Sequence, residues 1–155
     1  MKIILENNRK KDVVDPGNST EKILSIINKV DSSNVGIVWD MEHYYPNILL
    51  ERGLSDCPKE HILDLPSDDF LAKVWHTHIH GIGVTGTHNP LTNYESLPLE
   101  FYVKALRESG YSGIYNFELD SKRFSSDVPL PESIYSSIAR LSRSISSTEK
   151  INEGE

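Results

Sequence analysis

Two rhythms of apolar residues alternate along this chain: a short β-branched run, then a stripe at helical spacing. Lys2-Ile-Ile-Leu5 is the first run and predicts a buried strand that ends on Glu6-Asn7-Asn8. Asp15-Pro-Gly17 marks a turn, and Asn18 with Glu21 three residues on resembles a capping box opening a helix through Val30. Ile23, Leu24, Ile26, Ile27 and Val30 fall on one face of that helix and predict its buried stripe. Val35-Gly-Ile-Val-Trp39 is the second strand and ends on Asp40-Met-Glu-His43. A short helix is expected near Asn47 to Arg52, stopped by Gly53, followed by a loop carrying Pro58 and Pro66.

The third strand is expected over Leu71 to His80, where alternation puts His76, His78 and His80 on one face. Gly81 to Leu97 is a 17-residue connection rich in Gly, Thr and Asn, longer than a purely structural loop usually runs and so expected to serve function. Pro98 suits the first turn of the next helix, which Phe101 and Leu106 continue and Gly110 ends. Gly113-Ile-Tyr-Asn-Phe117 is the fourth strand, ending on Glu118-Leu-Asp120. A last helix begins near Pro131 with Ile134, Ile138, Leu141 and Ile145 as its expected stripe. Four strand-then-helix units argue for an α/β fold with parallel strands and right-handed crossovers.

Length and composition narrow this further. At 155 residues one domain is expected, spanning 1–145, with 146–155 a polar, disordered tail. No apolar run reaches the roughly 18 residues a membrane helix needs, and Ile3 to Leu5 is too short for a signal-peptide core. With one cysteine, Cys57, no intrachain disulfide can form, and a cytoplasmic location is expected. Sixteen Lys and Arg against 23 Asp and Glu give a formal charge of −7, which opposes binding to nucleic acid or anionic membranes.

Each strand delivers a metal-capable side chain at its carboxyl end: Glu6, Asp40 with His43, His78 with His80, and Glu118. That edge is where ligands bind in parallel α/β folds. A shared shell of carboxylates and imidazole suits a divalent metal such as Mn, Co, Mg or Zn. Taken singly the residues have plainer readings. Asp40 and His43 also suit a helix cap and a surface imidazole. His76 reads as an interior packing residue, His61 as a surface one, and His80 and His88 as loop anchors or substrate contacts. Trp39 and Trp75 read as core.

In combination these motifs resemble the xylose isomerase-like TIM barrels, the superfamily of sugar-phosphate isomerases and epimerases and of apurinic endonucleases. Ile-Leu-Glu6-Asn is similar to its fifth strand, Asp40-Met-Glu-His43 to the Asp-x-x-His of the sixth, and His78-Ile-His80 to the His-x-His of the seventh. Gly110-Tyr-Ser-Gly113 with Phe117-Glu118 is similar to the eighth. The likeness runs from Lys2 to about Ile145 and implies a (βα)4 half of a (β/α)8 barrel, strands five to eight, since a whole barrel needs roughly 250 residues.

The resemblance implies that Glu6, Asp40, His78 and Glu118 hold the metal. It implies a sugar or sugar-phosphate isomerase or epimerase working through an enediolate, with Glu6 and Glu118 as the proton-transfer pair and His43 catalytic or in contact with substrate or a second metal. His80 and His88 are the further substrate contacts. The alternatives are an apurinic endonuclease-like phosphodiesterase and a non-catalytic barrel fragment. Where the family often carries Asp, this chain has Gly81 and Gly86 while keeping His88, which weakens the multi-metal phosphodiesterase. A small carbohydrate is the expected substrate, and a homodimer or a separate amino-terminal half-barrel the expected partner.

Overall fold

Four strands lie side by side in chain order: β1 (Ile3–Glu6), β2 (Val35–Asp40), β3 (Val74–Ile79) and β6 (Tyr115–Phe117). Every pairing is parallel, as the strand-helix alternation requires. This computed structural model describes residues 1–13, 18–54, 60–83, 86–91, 97–124 and 130–152. The expected turn at Asp15-Pro-Gly17, Cys57, Pro58 and parts of the Gly81–Leu97 connection lie outside the described residues. Among the described residues no helix is long and apolar enough to cross a membrane.

The helices cover one face of the sheet. There Ile37, Trp39 and Ile79 are sealed beneath α2 (Met41–Glu51) and α4 (Leu99–Glu108), with Trp39, Tyr44 and Tyr102 packed edge to face or tilted at 5.2 to 5.9 Å between ring centroids. The opposite, inner face carries Ile4 against Gly36, Val38 against His76, and Asp40 against His78. A register shift between Ile37 and Val38 inserts one extra residue in β3, so Val74 faces the helices while Trp75 and His76 both turn inward. Trp75 then fills the space over Gly36, where an added Cβ would stand 2.2 Å from the indole, and Lys2 Nζ sits 4.9 Å from the ring centroid. Trp75 is thus half-buried on the inner face, whereas Trp39 is core as expected.

Several boundaries differ from the sequence expectation. Helix α1 (Thr20–Val30) is capped by Ser19, whose Oγ accepts the Lys22 N–H, one residue after the Asn18 expected. Helix α2 starts directly on β2 and contains Pro46, well before the short helix expected at Asn47. A one-turn helix, α3 (Asp68–Leu71), occupies the expected start of β3. The long connection after β3 holds an antiparallel hairpin, β4 (Gly81–Gly83) and β5 (Gly86–Asn89). Pro98 is the N-cap of α4 rather than part of its first turn.

Three apolar stripes are less covered than the pattern predicts. β1 is an edge strand with Ile3 and Ile4 47% and 44% exposed, not buried. On α1 only Ile23 and Ile27 are sealed, and Ile26 and Val30 face outward. Helix α5 (Leu130–Asn152) continues past Ile145 and buries Leu141 with Ser133, Ser137, Arg140 and Ser144, leaving Ile134 and Ile138 exposed. The polar side turns inward because Ser137 Oγ accepts the Leu91 N–H at 2.8 Å and Ser144 donates to Glu100 at 3.0 Å.

Candidate metal centre

The carboxyl ends of the four strands bring Glu6, Asp40, His78 and Glu118 together, one potential ligand atom from each lying within 4.8 Å of the others. Glu6 is the last residue of β1, Asp40 the last of β2, and His78 faces inward from β3. Glu118 follows β6, its N–H continuing the ladder to the Ile79 carbonyl at 3.1 Å. His78 Nδ1 stands 3.2 Å from Glu6 Oε1 and 2.9 Å from Glu118 Oε2. One ring nitrogen carries at most one proton, so it cannot donate to both carboxylates. The buried Glu118 Oε2 has no partner with hydrogen-bond geometry among the described residues. Two like charges about 4 Å apart repel by about 4 kcal/mol at an effective dielectric of 20. Three carboxylates and an imidazole turned to one point therefore fit a divalent cation, and this donor set suits Mn, Co, Mg or Zn.

Asp40 is fully buried and held from several sides. As N-cap of α2 its Oδ1 accepts the His43 N–H at 2.7 Å, while Oδ2 lies 3.0 Å from His43 Nδ1 and 3.2 Å from His80 Nε2. Burial alone would raise its pKa, but the hydrogen bonds from His43 and His80 outweigh that and hold the carboxyl far below the ordinary range. Burial would lower His43, yet Asp40 first and then Glu6 and Glu118 outweigh it and leave the imidazole above its usual value.

His80 is sealed from solvent, and His88 stacks beside it at 4.3 Å between centroids. His88 has a left-handed backbone, φ +64°, fixed by its N–H to His80 Nδ1 at 3.0 Å and by its carbonyl accepting the Asp120 N–H at 3.0 Å.

Residues 1–144 match the xylose isomerase-like TIM barrel family. The chain belongs to that family. Solved structures of an L-ribulose 3-epimerase (16% identity, TM-score 0.69) and of a D-tagatose 3-epimerase-like protein (19%, TM-score 0.61) share the fold. The first similarity covers 99% of this chain and 50% of that one, the second 97% and 49%. An uncharacterized protein of Methanocaldococcus jannaschii, MJ1188, is 30% identical over 97 residues, 63% of this chain and 35% of its own length. The chain thus spans about half the length of these solved structures and about a third of that relative.

Within the family frame, Gly81 has a local explanation. A Cβ there would lie 2.4 Å from the Pro90 carbonyl oxygen, so the Asp often found at this place has no room. Of the histidines expected to matter, His43 reaches the quartet directly, its Nδ1 3.8 Å from Glu6, while His88 touches the Glu118 carbonyl at 3.2 Å through its ring. His76 is half-buried on the inner face beside His78, and His61 braces the Tyr45 hydroxyl at 3.1 Å.

Two contributors escape the sequence pattern. Asn7 is buried and clamps the Asp40 backbone twice, donating to its carbonyl at 2.7 Å and accepting its N–H at 2.9 Å. Its only signal is a polar amide where an apolar run ends. Glu42 is fully buried in the first turn of α2, and burial, reinforced by Asp40, pushes its carboxyl well above the ordinary range. Neither Glu42 oxygen has a partner with hydrogen-bond geometry among the described residues.

Proposed function

We propose that this chain carries the metal-binding half of a sugar isomerase or epimerase, with a small sugar or sugar phosphate as substrate. The observation that supports it most is the convergence of Glu6, Asp40, His78 and Glu118 from four successive strands onto one point. These four residues would hold a divalent ion, which when bound supplies Lewis-acid polarisation of adjacent carbonyl and hydroxyl oxygens. Glu6 and Glu118 approach His78 from the two edge strands, β1 and β6. One would take the proton from the carbon between those oxygens and the other return it on the opposite side. His43, held by Asp40 with its pKa raised, would donate a hydrogen bond to a substrate oxygen. The wall facing the quartet would come from a second copy or from a separate amino-terminal half-barrel.

The test is proton exchange. In D2O with a divalent ion and a panel of small ketoses and aldoses, the carbon next to the carbonyl should acquire deuterium, read by NMR, in the assembled protein. Glu6→Gln or Glu118→Gln should abolish the exchange. Absence of exchange across the panel, together with cleavage of an abasic duplex, would replace this reading with the phosphodiesterase.

A further inference from the structure

We propose that His80 is a positioning residue that orients Asp40 and ties it to the β4–β5 hairpin, without touching either metal or substrate. The inference rests on the quartet being the metal centre. His80 has no exposed surface, so no substrate reaches its ring without displacing the hairpin. Its Nδ1 accepts the backbone N–H of His88 at 3.0 Å and therefore carries no proton. The alternative partner of that nitrogen, the Gly81 carbonyl, lies at 3.4 Å and belongs to the adjacent residue, a poorer bond. A neutral ring with a bare Nδ1 has its proton on Nε2, and that nitrogen faces Asp40 Oδ2 at 3.2 Å. His80 thus donates to Asp40 and fixes which lone pairs of the carboxylate remain for a cation.

The same tautomer removes His80 from two competing ligand sets, His43 with His88 and Asp40 with Glu42. Ligation through Nε2 needs its lone pair, which sends the proton to Nδ1 and breaks the bond from His88. Breaking it would remove one of the two bonds that hold His88 in its left-handed conformation, beside the Glu118 carbonyl its ring meets at 3.2 Å. Asp40, His80, His88 and the Glu118 carbonyl form one continuous bridge, so two imidazoles in series relate ligand residues at the ends of two strands that are not neighbours.

The decisive measurement is a long-range 1H–15N correlation spectrum of the histidine rings in the full chain, with and without Zn2+. His80 should show a protonated Nε2 and a bare Nδ1 in both states. A protonated Nδ1 would remove both the bond from His88 and the bond to Asp40, and an Nε2 that loses its proton on adding Zn2+ would make His80 a ligand; either result overturns the proposal. Zn2+ affinity gives the second arm. His80→Ala should weaken binding about 10- to 100-fold, as loss of an outer hydrogen bond to a ligand does. His80→Gln, which retains an N–H for Asp40, should recover most of that loss with unchanged stoichiometry. If the unsubstituted chain binds no Zn2+, the metal-centre reading falls, while the ring spectrum still decides the bond to Asp40.

Discussion

Asp40 engages His43 at both ends: one carboxylate oxygen accepts the backbone N–H at 2.7 Å and the other lies 3.0 Å from the ring Nδ1. The same side chain therefore starts helix α2 and aims the imidazole at Glu6. Asparagine caps helices about as well as aspartate, whereas alanine costs roughly 0.5 to 2 kcal/mol at this position. Asp40→Asn should fold with α2 intact and lose bound metal, by elemental analysis. Asp40→Ala should lose the metal and unfold at lower urea. Unchanged metal content in Asp40→Asn would remove Asp40 from the ligand set.

Stability of the metal-depleted chain should peak in mildly acidic solution. Asp40 has a folded pKa below its unfolded value of about 3.9, so its contribution is complete above that pH and is lost as the pH falls further. His43 has a folded pKa above its unfolded value of about 6.5, so its contribution is complete below that pH and is lost as the pH rises through the folded value. Glu42, whose folded pKa is raised by burial, adds a decline that begins as the pH rises past its unfolded value of about 4.3, so urea midpoints should be highest at about pH 4 to 5 and fall on either side. A midpoint still rising above neutrality would contradict the assignment for His43.

Position 81 offers a steric test. Gly81→Ala drives a Cβ toward the Pro90 carbonyl, a backbone atom that cannot swing aside. Overpacking of this kind typically costs about 1 to 3 kcal/mol. Gly81→Asp, which restores the residue often found in the family, should be no better tolerated. A denaturation midpoint equal to that of the unsubstituted chain would show that the hairpin yields easily.

The uncovered faces bear on assembly. Ile3 and Ile4 are exposed on edge strand β1, Ile114 is exposed just before the other edge strand β6, and Ile134 and Ile138 on α5 are open as well. Each apolar side chain left in water forgoes about 1.5 to 3 kcal/mol, against a margin of about 5 to 15 kcal/mol for a whole domain. The purified chain should dimerise, recruit a complementary half-barrel or aggregate, as read by light scattering. A monomer with cooperative unfolding would refute this.

The clustering of the candidate quartet is legible in sequence because each apolar run stops abruptly at Glu6, Asp40 or Glu118, and strand periodicity alone puts His78 on their face. Local pattern does not reveal the bulge at Trp75, which breaks alternation and turns that indole, read as core, onto the inner face beside His76. It misleads outright at α5, where Ile134 and Ile138 look like core. Burial there is decided by α4 and the long loop, whose Glu100 and Leu91 need polar partners and draw in Ser144 and Ser137. Pro46 disguises the start of α2 because a proline inside an apolar stretch argues for a break, whereas the helix begins upstream of it on the Asp40 cap.

The chain-order sheet places all four candidate ligands on one uninterrupted stretch of polypeptide, with β1 and β6 as free parallel edges. If the quartet holds an ion as proposed, ion affinity and substrate choice become separable properties, since the first would be written within this stretch and the second would depend on whatever wall docks against its edges. A different set of strands matched in tilt and register could be joined to the same edges and meet the same ion. On the proposed function such a half would be an interchangeable module, keeping its reactivity while its selectivity changed with its counterpart.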